Sequence, residues 1–174
     1  MFAQAAGVVA IDLRSASVAL DRAVHDGGLT LASQRACEES AEFLMRVRPA
    51  ERIGITKQVR VQVLPARQVN GIVTVPFRWE ATGPTGRLFP SVDANLTLTP
   101  AGERATTVTV TASYRPPLGR AGAALDRSLL AGLAECTLTA MVREVSDKLT
   151  LLANSAAGDT SIRVSPPGIA APGV

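Results

Sequence analysis

The stretch 114-YRPPLGRAGAALDRSLLAGLAECTLTAMVREVSDKLTLL-152 decides how the rest of the chain is read. Leu125, Leu129, Leu133, Thr137, Met141, Val145 and Leu149 recur in steps of four, beside a second row of Leu130, Ala134, Leu138 and Val142. Ser128, Glu135, Thr139, Arg143 and Ser146 fill the opposite side, which makes the pattern an amphipathic helix. Running from about Leu118 to Leu152, it would be roughly 50 Å long at 1.5 Å per residue. A step of four drifts by about 40° on a helix of 3.6 residues per turn, so the helix bends or buries different faces at its two ends. A twisted, curved sheet is the partner such a helix asks for.

Upstream of it the period is two. Val108, Val110, Ala112 and Tyr114 alternate with Thr107, Thr109, Thr111 and Ser113 in a strand from Ala105 to Tyr114. The preceding strand, Leu88 to Thr99, sets Val92, Ala94, Leu96 and Leu98 against Asp93, Asn95, Thr97 and Thr99, and Pro100-Ala101-Gly102 turns the chain between the two. Ile72 to Ala81 places Val73, Val75, Phe77 and Trp79 on one face, with Pro76 removing a ladder donor and indicating an edge or a bulge. Gly83-Pro84-Thr85-Gly86 forms the next turn. Before it, Val59, Val61 and Val63 alternate with Gln58, Arg60 and Gln62, and Asn70-Gly71 supplies the two positive-φ residues of a tight hairpin. The result is an antiparallel meander with one apolar and one wet face.

Earlier still, the period returns to that of a helix. Ala32, Ala36, Phe43, Leu44 and Val47 mark a helix from about Thr30 to Val47, ended by Arg48-Pro49. A shorter helix carrying Leu20, Ala23 and Val24 precedes it, capped by Ser15 or Ser17 and stopped at Gly27-Gly28. Val8 to Leu13 reads as a first strand. At the other end, Ser155 to Val174 is rich in Ser, Ala, Gly and Pro without periodicity and reads as a disordered tail on a single domain spanning residues 1–154.

Composition narrows the function classes. Hydrophobic residues at 47% of 174 support a sizeable core, while aromatics at 3% leave the apolar surface to Val, Leu and Ala. The net charge is +3, but the densest basic run, Arg46, Arg48, Arg52, Lys57 and Arg60, is diluted by Glu42 and Glu51 and has no interleaved aromatics, so no nucleic-acid partner is expected. Cys37 and Cys136 lie far apart with no CxxC and no histidine cluster, and His25 is the sole histidine, so neither a metal site nor a cofactor is expected. Met1 to Gly7 lacks the pattern of a secretory signal, and no run approaches eighteen apolar residues; a cytoplasmic protein without membrane insertion is expected, as a monomer or homodimer.

The order of strand, helix pair, meander and long C-terminal helix resembles the helix-grip fold of the START and birch-pollen-allergen superfamily, often labelled SRPBCC. Arg78-Trp79-Glu80-Ala81-Thr82-Gly83-Pro84, Leu88-Phe89-Pro90 and Tyr114-Arg115-Pro116-Pro117-Leu118-Gly119 leading to Leu125-Asp126-Arg127 are similar to a group of its actinobacterial members. The likeness covers about Gly7 to Leu152. One departure is plain: the family pattern has six strands after the helix pair, whereas four long ones are read here. Either Pro65 and Pro90 split two of them or the sheet is smaller.

This resemblance implies an α+β helix-grip domain with a hydrophobic cavity between sheet and helix, used across the superfamily for lipids, sterols, plant hormones and polyketides. Its wall would be Val75, Phe77, Trp79, Phe89, Leu96, Val110 and Tyr114 from the sheet, with Leu125, Leu129, Leu133 and Thr137 from the helix, and Tyr114 as the polar anchor. The same aromatics serve equally as ordinary core residues. The superfamily it resembles has no universal catalytic residue set to carry over, and alternation sends Arg78, Glu80 and Asp93 to the wet face. The leading reading is a non-catalytic carrier or sensor of an apolar small molecule. Its rivals are a polyketide cyclase-type or dehydratase-type enzyme and a protein-interaction module with a collapsed cavity.

Overall fold

The computed structural model describes residues 2–47, 59–81, 92–114 and 127–161. In chain order they form β1 (Phe2–Val9), α1 (Leu13–His25), α2 (Gly28–Val47), β2 (Val59–Val63), β3 (Arg67–Val69), β4 (Ile72–Ala81), β5 (Val92–Pro100), β6 (Thr106–Tyr114) and α3 (Arg127–Ser161). The six strands make one antiparallel sheet in the order β1-β6-β5-β4-β2, with β3 also pairing β4. It is an open, curved sheet with α3 packed on one face and two helices inserted after the first strand, the α+β helix-grip arrangement expected from the order of elements.

Alternation sorts the two faces as the pattern requires. Val73, Val75, Phe77 and Trp79 of β4, Ala94, Leu96 and Leu98 of β5, and Val108, Val110 and Ala112 of β6 are buried, whereas Arg78, Glu80, Asp93 and Asn95 are exposed. Asn70 (φ 51°) and Gly71 (φ 75°) both take positive φ and close the hairpin between Val69 and Ile72. These are the backbone angles of a two-residue turn whose twist matches that of its strands.

Pro65 and Pro76 act together. Val63 pairs Phe77 and Arg67 pairs Thr74, so three residues, Leu64 to Ala66, stand opposite two, Val75 and Pro76. This is a β-bulge, and it splits the first meander strand into β2 and β3 at Pro65. The Leu64 amide donates to the Pro76 carbonyl at 2.8 Å. Because the N and C=O of one strand residue point to the same side, the donor that Pro76 lacks faces the bulge and leaves the ladder to β5 unaffected. The Gly83 to Gly86 turn, Pro90, and the helix start expected from Leu118 lie outside the described residues.

Three expectations need correction. The first strand is Phe2–Val9, not Val8–Leu13. Asp12, not Ser15 or Ser17, caps α1: its Oδ1 accepts from the Ser15 amide at 3.0 Å and its Oδ2 from the Ser15 hydroxyl at 2.7 Å. The Thr106 hydroxyl holds the Ile11 carbonyl at 2.8 Å, so the chain has already left the sheet there. The third concerns α3, which has 35 residues and continues to Ser161, into the stretch expected to be a tail. No proline interrupts it between Ala153 and Ser161, the next being Pro166, and the one glycine there, Gly158, costs only about 1 kcal/mol relative to alanine.

The core lies between the sheet and the three helices. Leu138, Met141, Val142, Val145 and Leu149 of α3 are buried together with Ala16, Leu20 and Ala23 of α1 and Leu29, Ala32 and Ala36 of α2. Ion pairs border the α2–α3 contact on its wet side, Arg35 to Glu144 at 2.9 Å and Arg143 to Glu39. No helix among the described residues is long and apolar enough to cross a membrane.

Candidate functional site

Cross-strand register builds the site. Val61, Trp79, Val92 and Tyr114 occupy one row across β2, β4, β5 and β6, and the next row is Val63, Phe77, Ala94 and Ala112, continued by Ala3 of β1. The third row is Val75, Leu96, Val110 and Ala5.

Of the expected wall residues, Val75, Phe77, Trp79, Leu96 and Val110 share this face and are buried. Val75, Leu96 and Val110 retain 0% of their surface, so no space large enough for water touches them. Thr137 of α3 is half-buried. Phe89 and Leu125 lie outside the described residues, as do the side chains of Tyr114, Leu129 and Leu133. Along α3, Gly132, Ala134, Cys136 and Thr137 all keep part of their surface, whereas Leu138, Ala140, Met141, Val142, Val145 and Leu149 are buried.

Trp79 is the distinctive member of the face. Its ring meets that of Phe77 edge-on, with centroids 5.3 Å apart at 66°, an arrangement worth about 0.5–1.5 kcal/mol beyond simple burial. The residue is 5% exposed, yet its Nε1–H has no hydrogen-bond partner among the described residues. A buried donor without an acceptor costs about 1–3 kcal/mol, so it asks for an occupant that supplies one. Sequence reasoning put Trp79 on the right face but assigned the polar role to Tyr114. Nothing in a one-dimensional pattern shows whether an indole N–H finds an acceptor in the fold.

A concavity of about 460 Å³ lies on the solvent side of the sheet, lined by Phe2, Gln62, Arg78, Asp93, Asn95 and Ser113 among others. Arg78 and Asp93, opposite each other in the β4–β5 register, neutralise one another there through a 2.7 Å bond. Among the described residues no group of three or more His, Cys, Asp or Glu side chains could hold a metal ion. Cys37 is a poor nucleophile, because burial, aided by the nearby Glu38 carboxylate, pushes its thiol up to about 11.

No family model and no curated protein matches the sequence. Among solved structures the chain is similar to a conserved protein from Geobacillus kaustophilus, at 13% identity over 87% of this chain and 96% of that one, with a TM-score of 0.49. It is also similar to the TTHA0849 protein of Thermus thermophilus, at 14% identity over 87% and 98% with a TM-score of 0.41. A third likeness is to the Zhui aromatase/cyclase of Streptomyces sp. R1128, at 11% identity over 86% and 93% with a TM-score of 0.38.

Proposed function

We propose that this protein binds an apolar small molecule of lipid, sterol or polyketide type between the Trp79 row of the sheet and the part of α3 around Gly132 to Thr137, whose described side chains keep part of their surface. The observation that carries the reading is the buried, unpartnered Nε1–H of Trp79. A ligand carbonyl or hydroxyl oxygen would accept from it, turning an uncompensated donor into a made hydrogen bond. The surrounding chemistry fits a hydrocarbon body: Val61, Phe77, Val92 and Ala94 flank the ring, and the inward positions of β4, β5 and β6 hold no Asp, Glu, Lys, Arg or His. With no carboxylate, histidine or lysine at those positions, the reading is binding rather than turnover.

Trp79 is the single tryptophan of the chain, so its fluorescence reports on the site directly. Titration with sterols and aromatic polyketide-like ketones should give a saturable change that is insensitive to ionic strength. By calorimetry, Trp79→Phe should weaken the same ligand by about 3- to 10-fold, the value of one neutral hydrogen bond, while the domain stays folded. Absence of saturable binding by any carbonyl- or hydroxyl-bearing apolar ligand overturns the reading. So does full affinity in the Phe variant.

A further inference from the structure

The two free edges of the sheet are built differently. The β2/β3 edge is broken by the bulge at Leu64–Ala66, contains Pro65, and carries Arg60 and Arg67, both exposed. Bulges, prolines and charges of this kind keep an edge from pairing with another chain. The β1 edge has none of them. Phe2 to Val9 is eight residues long, holds no charge and no proline, and no described strand pairs with its outer side. On its solvent face Phe2 is 70% exposed and Val8 66%. An uncharged edge strand with a large apolar residue near each end, left open while the opposite edge is blocked, is an interface rather than a boundary.

We infer that β1 pairs antiparallel with β1 of a second copy of this chain, joining the two sheets across a two-fold axis at Ala5. In that register Phe2 stands opposite the partner copy's Val8 and Gln4 opposite its Ala6, all on the solvent face. The strand is complementary to itself, because each large apolar side chain meets the other and no charge meets a like charge. The second copy is favoured over a foreign strand by this match between the two halves of one eight-residue sequence. The register also serves whichever alternate set of β1 amides is turned away from β6, since residues of either set meet residues of the same set across the axis. This inference is independent of any ligand under α3.

Sedimentation of the full chain from about 1 to about 100 μM, where a concentration-dependent dimer declares itself, should show a species of twice the 18.1 kDa mass. Two double variants test the register. Gln4→Lys with Ala6→Lys sets like charges opposite each other across the axis and should give a monomer with an unchanged far-UV spectrum. Gln4→Glu with Ala6→Lys sets opposite charges there and should remain dimeric. Hydrogen exchange of the unaltered protein supplies a reading that needs no variant: the β1 amides turned away from β6 should be protected at high concentration and exchange faster on dilution. A monomer at every concentration with rapidly exchanging outer β1 amides overturns the inference and leaves the edge to a strand of another protein. A dimer that survives the double lysine change, or one lost equally in both variants, overturns the register and with it the inference.

Discussion

Gly7 of β1 passes directly beneath Val142 of α3: a Cβ added at Gly7 would lie 3.0 Å from Val142 Cγ1 and 3.9 Å from the Ser146 hydroxyl. The helix can approach this strand only because the strand has no side chain there. Val142 is β-branched and held in a helix, so it has little rotameric freedom to move aside. Gly7→Ala is expected to lose about 1 kcal/mol of stability, and Gly7→Val about 1–3 kcal/mol as an overpacked core does. In urea denaturation, combining Gly7→Ala with Val142→Ala should cost less than the sum of the two single changes. Strict additivity would show that the two residues do not constrain each other.

Residues of the inner face should separate into packed core and ligand contact. Leu96 has no accessible surface, and Leu96→Ala is expected to cost about 2–5 kcal/mol by chemical denaturation. Trp79→Phe should change stability by no more than about 1 kcal/mol, because the volume it loses is offset by removing a donor that the free protein leaves unpartnered. A loss of several kcal/mol at Trp79 would mean that its N–H is satisfied in solution.

The Asp12 cap makes part of the stability dependent on pH. Hydrogen bonds from the Ser15 amide and hydroxyl hold the Asp12 carboxyl below its ordinary value of 3.8. A carboxyl depressed in the folded state contributes stability that is present above its unfolded value and is lost as pH falls through its folded value. The melting temperature of Asp12→Ala should therefore lie below that of the unaltered protein at neutral pH, and the gap should close as the solution is acidified below 3.8. Asp12→Asn, which still caps but does not titrate, should show a shallower acid dependence. A gap that stays constant in acid would remove Asp12 from the account.

Cys37 should resist alkylation although it is only half-buried. With its thiol raised to about 11, the thiolate fraction at pH 8 is on the order of 1 in 1,000, against about 1 in 4 for an ordinary cysteine. In a Cys136→Ser background, iodoacetamide should label Cys37 about 200-fold more slowly than a free thiol, and the rate should still be rising at pH 10. Rapid labelling at pH 7 would show that the thiol is not held protonated.

Periodicity carried the sequence a long way where each residue's environment is local. The alternation of β4, β5 and β6, the Asn70-Gly71 hairpin, the glycine-hinged helix pair and the amphipathic rows of α3 from Thr137 to Leu149 are all repeats of 2 or 3.6 residues or the turns between them, and the structure places them as read. The bulge between Pro65 and Pro76 was half legible: proline reveals a missing donor, but only the register shows that the two prolines answer each other across the ladder.

What stayed hidden depends on contacts between distant segments. Phe2–Val9, with three alanines and a glycine, has little β-propensity of its own; it is a strand because β6 supplies the ladder and α3 fits over Gly7. Val8 to Leu13 looked more like a strand because alternation cannot register that Asp12 and Thr106 hold the chain out of the sheet. The site divides in the same way. Alternation determines that Trp79 faces inward, because a strand's side chains change sides at every residue. Whether its N–H meets an acceptor is decided only by what the folded chain brings within about 3 Å, and a hydrogen bond is a relation between two groups that no single stretch of sequence contains.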